Sequence, residues 1–139
     1  MAPAHTRSQK RRAFIVEDTP DVRASLALLL ESEGFAVAGT AVSEFEAIDW
    51  LHQNEGQWEL AVIDLLLKDG SGFNVVRHFK SSSHPGKVLV YSGFVTDAIR
   101  AQCERLGADA VISKSDVQQL QRVLDAFRPR GDSASDDHG

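Results

Sequence analysis

The stretch Leu60-Ala61-Val62-Ile63-Asp64, followed at once by Leu65-Leu66-Leu67-Lys68-Asp69-Gly70-Ser71-Gly72, decides how the chain is read. A short apolar run bounded by turn residues reads as a strand buried on both faces, the kind found in parallel sheets. This run ends in a carboxylate, and in an open parallel sheet ligands bind at the carboxyl ends of the strands. Asp64 therefore either stands at a rim where chemistry takes place or is the turn-forming residue that Asp commonly is. The other strand ends decide between the two.

Upstream, Ala13-Phe14-Ile15-Val16 is an equivalent run that ends in Glu17-Asp18. Thr19 as N-cap and Pro20 at the first helical position open a helix. Its stripe is Val22, Leu26, Leu29 and Leu30, and Gly34 ends it. Phe35 to Gly39 reads as a second strand. Ser43, with Glu46 three residues on, forms a capping box before a helix carrying Phe45, Ile48 and Leu51 inward. Trp58 to Ile63 is the third strand. Phe73, Val76 and Phe79 make the next helical stripe, and Ser81-Ser82-Ser83-His84-Pro85-Gly86 is a loop. Lys87 to Tyr91 is a fourth strand that delivers Ser92-Gly93. A more polar helix runs from about Thr96 to Leu106, with Gly107 as its C-cap. Asp109 to Ser113 is the fifth strand, ending at Lys114. Ser115 caps a last helix with Val117, Leu120, Leu124 and Phe127 inward, and Pro129 stops it. Five strands alternating with five helices imply an α/β domain, a parallel sheet covered on both faces.

With 139 residues the chain is long enough for one domain with its own core. Residues 1–11 read as a flexible basic arm, 12–129 as the folded domain and 130–139 as a disordered tail of Ser, Asp and Gly. Fifteen basic against twenty acidic residues give a net charge of -5, which argues against direct contact with nucleic acid. Lone Cys103 excludes an intramolecular disulfide, and no apolar run approaches membrane-spanning length, so a cytoplasmic location is expected. His5, His52, His78, His84 and His138 show no metal-ligand spacing, and Gly70-Ser71-Gly72 lacks the third glycine of a dinucleotide fingerprint. Trp50 and Trp58 read as partial core. Trp50 lies off its helix's apolar stripe, and the alternative is that it marks a contact surface.

The strand ends bring Glu17 and Asp18, Asp64, Ser92 and Lys114 to one rim. Three carboxylates together repel one another and recruit a cation. Oxygen ligands with positions to spare suit Mg²⁺, and an ammonium and a hydroxyl opposite suit a phosphoryl group. Aspartate itself can be the nucleophile.

At this point the chain resembles the receiver domains of two-component response regulators. The resemblance covers about Arg12 to Arg128. Its motifs are the pair Glu17-Asp18, the strand end Val62-Ile63-Asp64, Gly72 eight residues on, Ser92-Gly93 after an apolar strand, and Gly107-Ala108-Asp109 leading to Lys114. The resemblance implies a doubly wound, flavodoxin-like (βα)5 fold with strand order 2-1-3-4-5. It implies that Asp64 accepts phosphate from a phosphohistidine, and that Asp18, Asp64 and the Leu66 backbone carbonyl bind Mg²⁺, with Glu17 acting through a water. Ser92 would hydrogen-bond the phosphoryl group and Lys114 would pair with it. The partners implied are a sensor histidine kinase or phosphotransfer protein, and a downstream protein target. The target would meet the fourth helix, fifth strand and fifth helix, where Asp97, Arg100, Gln118, Gln119 and Arg122 are the candidate surface residues. A homodimer through that face is an open alternative, and no direct nucleic-acid or membrane contact is expected. Only a tail follows Arg128, so a stand-alone signalling domain is expected rather than an enzyme, with Mg²⁺-dependent self-phosphorylation from a phosphodonor and slow self-dephosphorylation its only chemistry.

Three positions depart from the family's habit. Lys68 stands where proline is frequent, which changes loop stiffness. Val111 stands where many members carry the aromatic that swings inward on activation. Ser115 replaces a frequent proline after the lysine and favours an immediate helix cap. Leu66 and Phe94, two residues past Asp64 and Ser92, are bulky and apolar and cannot position a hydrolytic water, which points to a long-lived aspartyl phosphate; otherwise they pack against the loop. Two other functions compete. A phosphorylation-independent binding module would explain Val111. A metal-dependent phosphatase would need a second aspartate just beyond Asp64, where Leu66 stands.

Overall fold

The computed structural model of the protein describes residues 10–127. The rest of the expected arm and the tail, with Pro129, lie outside the described residues. Strand β1 (Arg11–Val16) opens one residue inside the stretch expected as arm. It is followed by α1 (Pro20–Ser32), β2 (Phe35–Ala41), α2 (Glu44–Gln53), β3 (Leu60–Ile63), α3 (Gly72–Lys80), β4 (Lys87–Ser92), α4 (Asp97–Arg105), β5 (Ala110–Ser113) and α5 (Val117–Phe127). The five strands form one parallel sheet in the order β2-β1-β3-β4-β5, the flavodoxin-like order.

Alternation along the strands sends side chains to two apolar layers. Phe14, Val16, Ile63, Val90 and Val111 pack with Ala47, Leu51, Phe79 and Cys103 beneath α2, α3 and α4. Ile15, Val62, Leu89, Tyr91 and Ile112 pack with Leu26, Leu30, Leu120 and Leu124 beneath α1 and α5. Every residue of β3 is buried, as a central strand covered on both faces requires. Burial pushes the Cys103 thiol pKa up, which fits a packing residue rather than a reactive one.

Several helix details differ from the sequence reading. In α2 the inward face is Ala47 and Leu51, while Phe45 is 79% exposed. At 100° per residue Phe45 lies opposite Ala47. Trp50 shares the inward face, stacking on Phe14 with ring centroids 4.0 Å apart, so it belongs to the core. The β1–β2 register slips between Ala13 and Phe14, and a Cβ on Gly39 would lie 2.6 Å from Trp50 Nε1; the slip and the missing side chain make room for the indole. The cap of α5 is Asp116, whose Oδ1 accepts from the Gln119 amide, because the Ser115 hydroxyl is engaged with Ser113 Oγ at 2.8 Å. Val117 is correspondingly half-exposed rather than inward. Thr19 and Pro20 open α1 as expected, but Thr19 makes no side-chain cap bond. Ser43 does cap α2, and Glu46 reaches back to the Val42 amide, one residue upstream of a standard capping box.

Candidate functional site

After β1 the chain turns into α1, which opens with Pro20 at its first position. The turn leaves Glu17 1% exposed and Asp18 half-buried at the sheet's carboxyl edge. Glu17 is held on every side. Its amide donates to the Ala41 carbonyl, its carbonyl accepts from Arg23 Nη1 at 2.8 Å, and its Oε2 accepts from the Thr19 amide at 3.1 Å. Asp64 follows β3 directly, 5% exposed, with its amide on the Val16 carbonyl at 2.9 Å. Parallel pairing of β1 with β3 thus brings both strand ends level, and ligand atoms of Glu17, Asp18 and Asp64 all lie within 4.8 Å of one another.

Lys114, one residue past β5, reaches back across the edge. Its Nζ stands 2.9 Å from Glu17 Oε1 and 3.0 Å from Asp64 Oδ2. Burial works to lower the Lys114 pKa, but the hydrogen bonds and charges of Glu17 and Asp64 outweigh it, and the pKa is raised above 10.5. Like charges at such separations repel by on the order of 3 kcal/mol per pair at an effective dielectric of about 20. One ammonium against three carboxylates leaves two negative charges. That surplus, on oxygen donors from two strand ends, fits a hard divalent cation, and Glu17, Asp18 and Asp64 are the residues that could hold it.

Ser92 closes β4, fully buried, and its hydroxyl has no hydrogen-bond partner. Its carbonyl accepts from the Lys114 amide at 2.8 Å. A buried hydroxyl without a partner costs stability unless something arrives to use it. Leu66 is 66% exposed in the loop after β3, and its amide donates to Asp64 Oδ1 at 3.3 Å. Phe94 is 63% exposed, so both apolar flanks stand largely open to solvent.

Two contributors to the site escape sequence reasoning. The Lys68 amide donates to Asp18 Oδ2 at 2.7 Å. A proline there has no such donor, so this departure alters the hydrogen bonding of a carboxylate and not loop stiffness alone. Glu44, on the first turn of α2, pins the loop's far end. Its Oε1 accepts from the Ser71 amide at 2.8 Å, its amide donates to the Asp69 carbonyl, and its side chain crowds Gly70, which adopts φ +99°. On the candidate contact face Arg100 is half-buried, and its Nη1 donates to the Val111 carbonyl at 2.7 Å; it ties α4 to β5 rather than standing free on the surface.

A doubly wound five-stranded parallel sheet with an acidic pocket and one lysine at its carboxyl edge defines a class of small α/β signalling domain. The chain belongs to the response regulator receiver domain family, whose family model matches residues 13–125. It is 30% identical over 103 residues to the cell cycle response regulator CtrA of Brucella ovis, covering 74% of this chain and 43% of that protein. The chain spans less than half the length of the curated relatives it matches. Among solved structures it is similar to a response regulator protein from Burkholderia pseudomallei with a phosphorylated aspartic acid, calcium ion and citrate. That likeness has a TM-score of 0.73 and 22% identity, covering 93% of this chain and 73% of that one. It is also similar to the CheX–CheY–BeF3–Mg+2 complex from Borrelia burgdorferi, with a TM-score of 0.77 and 21% identity over 90% and 95% of the two chains. At these identities the structural likeness speaks for the fold. Among the described residues no helix is long and apolar enough to cross a membrane.

Proposed function

We propose that Asp64 accepts a phosphoryl group from a phosphohistidine on a sensor histidine kinase or phosphotransfer protein. The observation that carries this reading is the Lys114 ammonium set between Glu17 and Asp64 at 2.9 and 3.0 Å, inside a cluster of three carboxylates. In the transfer an Asp64 oxygen forms a bond to phosphorus, the phosphorus–nitrogen bond of the donor breaks, and the imidazole nitrogen keeps the electron pair. Lys114 faces the charge that gathers on the phosphoryl oxygens, and the Ser92 hydroxyl, unpartnered before the reaction, donates to one of them. Asp18, Asp64 and the Leu66 carbonyl would hold Mg²⁺, with Glu17 acting through a water, and the ion would supply positive charge that offsets the carboxylates and the phosphoryl oxygens. Output is by protein contact or by relay of the phosphoryl group.

A constitutive binding module with the same fold is the second reading. Val111, 3% exposed and aliphatic where an aromatic switch is frequent, favours it. Incubation with Mg²⁺ and acetyl phosphate, read by intact mass, separates the two. A single phosphoryl adduct that needs Mg²⁺ and is absent from Asp64→Asn supports the phosphoacceptor. No adduct and no Mg²⁺ binding would leave the binding module.

A further inference from the structure

We infer that Tyr91 carries the state of the Asp64 site to the α1–α5 side of the sheet, in place of the aromatic missing at Val111. This rests on the phosphoacceptor reading. Tyr91 and Val111 stand on neighbouring strands, with Tyr91 paired to Ile112, but they face opposite sides. Val111 is buried in the layer beneath α2–α4, and its carbonyl is held by Arg100. Neither its size nor its backbone leaves it free to report on the site. Tyr91 is buried in the layer beneath α1 and α5. Its ring forms a wall of a groove of about 390 Å³ with Val22, Leu26, Leu29, Val117 and Leu120, and Lys114 borders the same groove.

The Tyr91 hydroxyl donates to the Lys114 carbonyl at 3.4 Å, and the next residue, Ser92, accepts from the Lys114 amide at 2.8 Å. Residues 91 and 92 therefore hold both backbone polar groups of Lys114, while its ammonium lies between Glu17 and Asp64. An O–H···O bond is best near about 2.7–2.8 Å, so a bond of 3.4 Å is stretched to its limit. An oxyanion on Asp64 draws the ammonium off Glu17 and turns the free Ser92 hydroxyl toward itself. Both pulls act on the backbone that the Tyr91 hydroxyl grips. A shift of a few tenths of an ångström then closes or breaks that bond, and the ring moves against Val22, Leu29 and Val117. The aromatic thus reads the site from β4 and displays it between α1 and α5.

Tyr91 is the sole tyrosine of the chain. The full chain grown with fluorotyrosine gives one side-chain fluorine NMR line, and beryllofluoride, a phosphoryl mimic, gives its own signals when bound. With Mg²⁺ and beryllofluoride the expected result is bound beryllofluoride together with a displaced tyrosine line, both absent from Asp64→Asn. Mg²⁺ alone is expected to leave the line in place, and Ser92→Ala to shrink the displacement. Bound beryllofluoride with an unmoved tyrosine line overturns the relay and leaves the phosphoacceptor standing. The same displacement with Mg²⁺ alone also overturns it, because the line then reports charge rather than the oxyanion. No bound beryllofluoride on the wild type overturns both.

Discussion

Alanine at position 72 would place a methyl carbon 2.1 Å from the Asp64 carbonyl oxygen and 2.5 Å from Leu65 Cα. Both obstacles are backbone, so no side chain can turn aside. Gly72 begins α3 and has no positive φ, so alanine fits its conformation. By helix propensity alone Gly72→Ala would stabilise the domain by at most roughly 0.5–1 kcal/mol, the value for a helix interior. Packing reverses the sign. Reaching even the tightest ordinary contact, 3.4 Å, from 2.1 Å requires α3 or the backbone of Asp64 to retreat by 1.3 Å. Overpacking costs about 1–3 kcal/mol where side chains can adjust, and a backbone obstacle belongs at the upper end, ~3 kcal/mol. With a urea slope of about 1–3 kcal/mol/M, the midpoint of unfolding falls by roughly 1–3 M. Gly93→Ala is the control: a Cβ there meets nothing within 4 Å, and the change stays within about 0.5 kcal/mol. A Gly72→Ala midpoint at or above the wild-type value would refute the reasoning, because propensity would then have outweighed the clash.

Glu44→Ala removes the acceptor for the Ser71 amide and is expected to cost about 1–3 kcal/mol, read as a lower urea midpoint; an unchanged midpoint would show that water replaces the carboxylate without loss. Leu66→Asn is expected to shorten the life of the aspartyl phosphate, followed as decay of the adduct mass, and an unchanged lifetime would sink the shielding role of that exposed apolar flank. For Lys114 the pKa is raised, so above the acid range its ion pairs stabilise the fold up to the unfolded value and are lost as pH climbs through the folded one. The stability gap between wild type and Lys114→Met is therefore level from about pH 7 to 9.5 and narrows only at higher pH. A gap that narrows between pH 7 and 9 contradicts the assignment. Arg100→Glu is expected to lower stability by roughly 1.5–3 kcal/mol through its lost bond to the Val111 carbonyl, so Arg122→Glu, at an exposed position, is the cleaner probe of partner binding on that face.

The strand ends were legible because two independent periodicities agreed on them. Apolar runs stopped at Glu17, Asp64, Ser92 and Lys114, and the helical stripes between them demanded parallel crossovers, which put all those ends on one edge. What stayed hidden has a common cause. The inward face of α2 was phased on Phe45, its bulkiest apolar residue, whereas the sheet accepts Ala47 because Trp50 one turn on already fills the space against Phe14. No local pattern encodes a partner on another strand. Ser115 was the better cap by residue type, yet Ser113 claims its hydroxyl and Asp116 takes the role.

Lys68 makes the point at the site itself. By its side chain it is only a proline replaced by a flexible, charged residue in a loop. Its contribution is the main-chain N–H, which every residue except proline has and which no one-letter code displays. That amide bonds Asp18 Oδ2 at 2.7 Å, so the choice of residue four positions after Asp64 decides whether a carboxylate of the acidic cluster meets a donor before any cation does. A cation bound through that oxygen competes with the amide, whereas a chain with proline there presents the oxygen unencumbered. Lys68→Pro is therefore expected to alter Mg²⁺ affinity while leaving every carboxylate in place, and a titration that finds the two affinities equal would show that the Lys68 amide is a bystander.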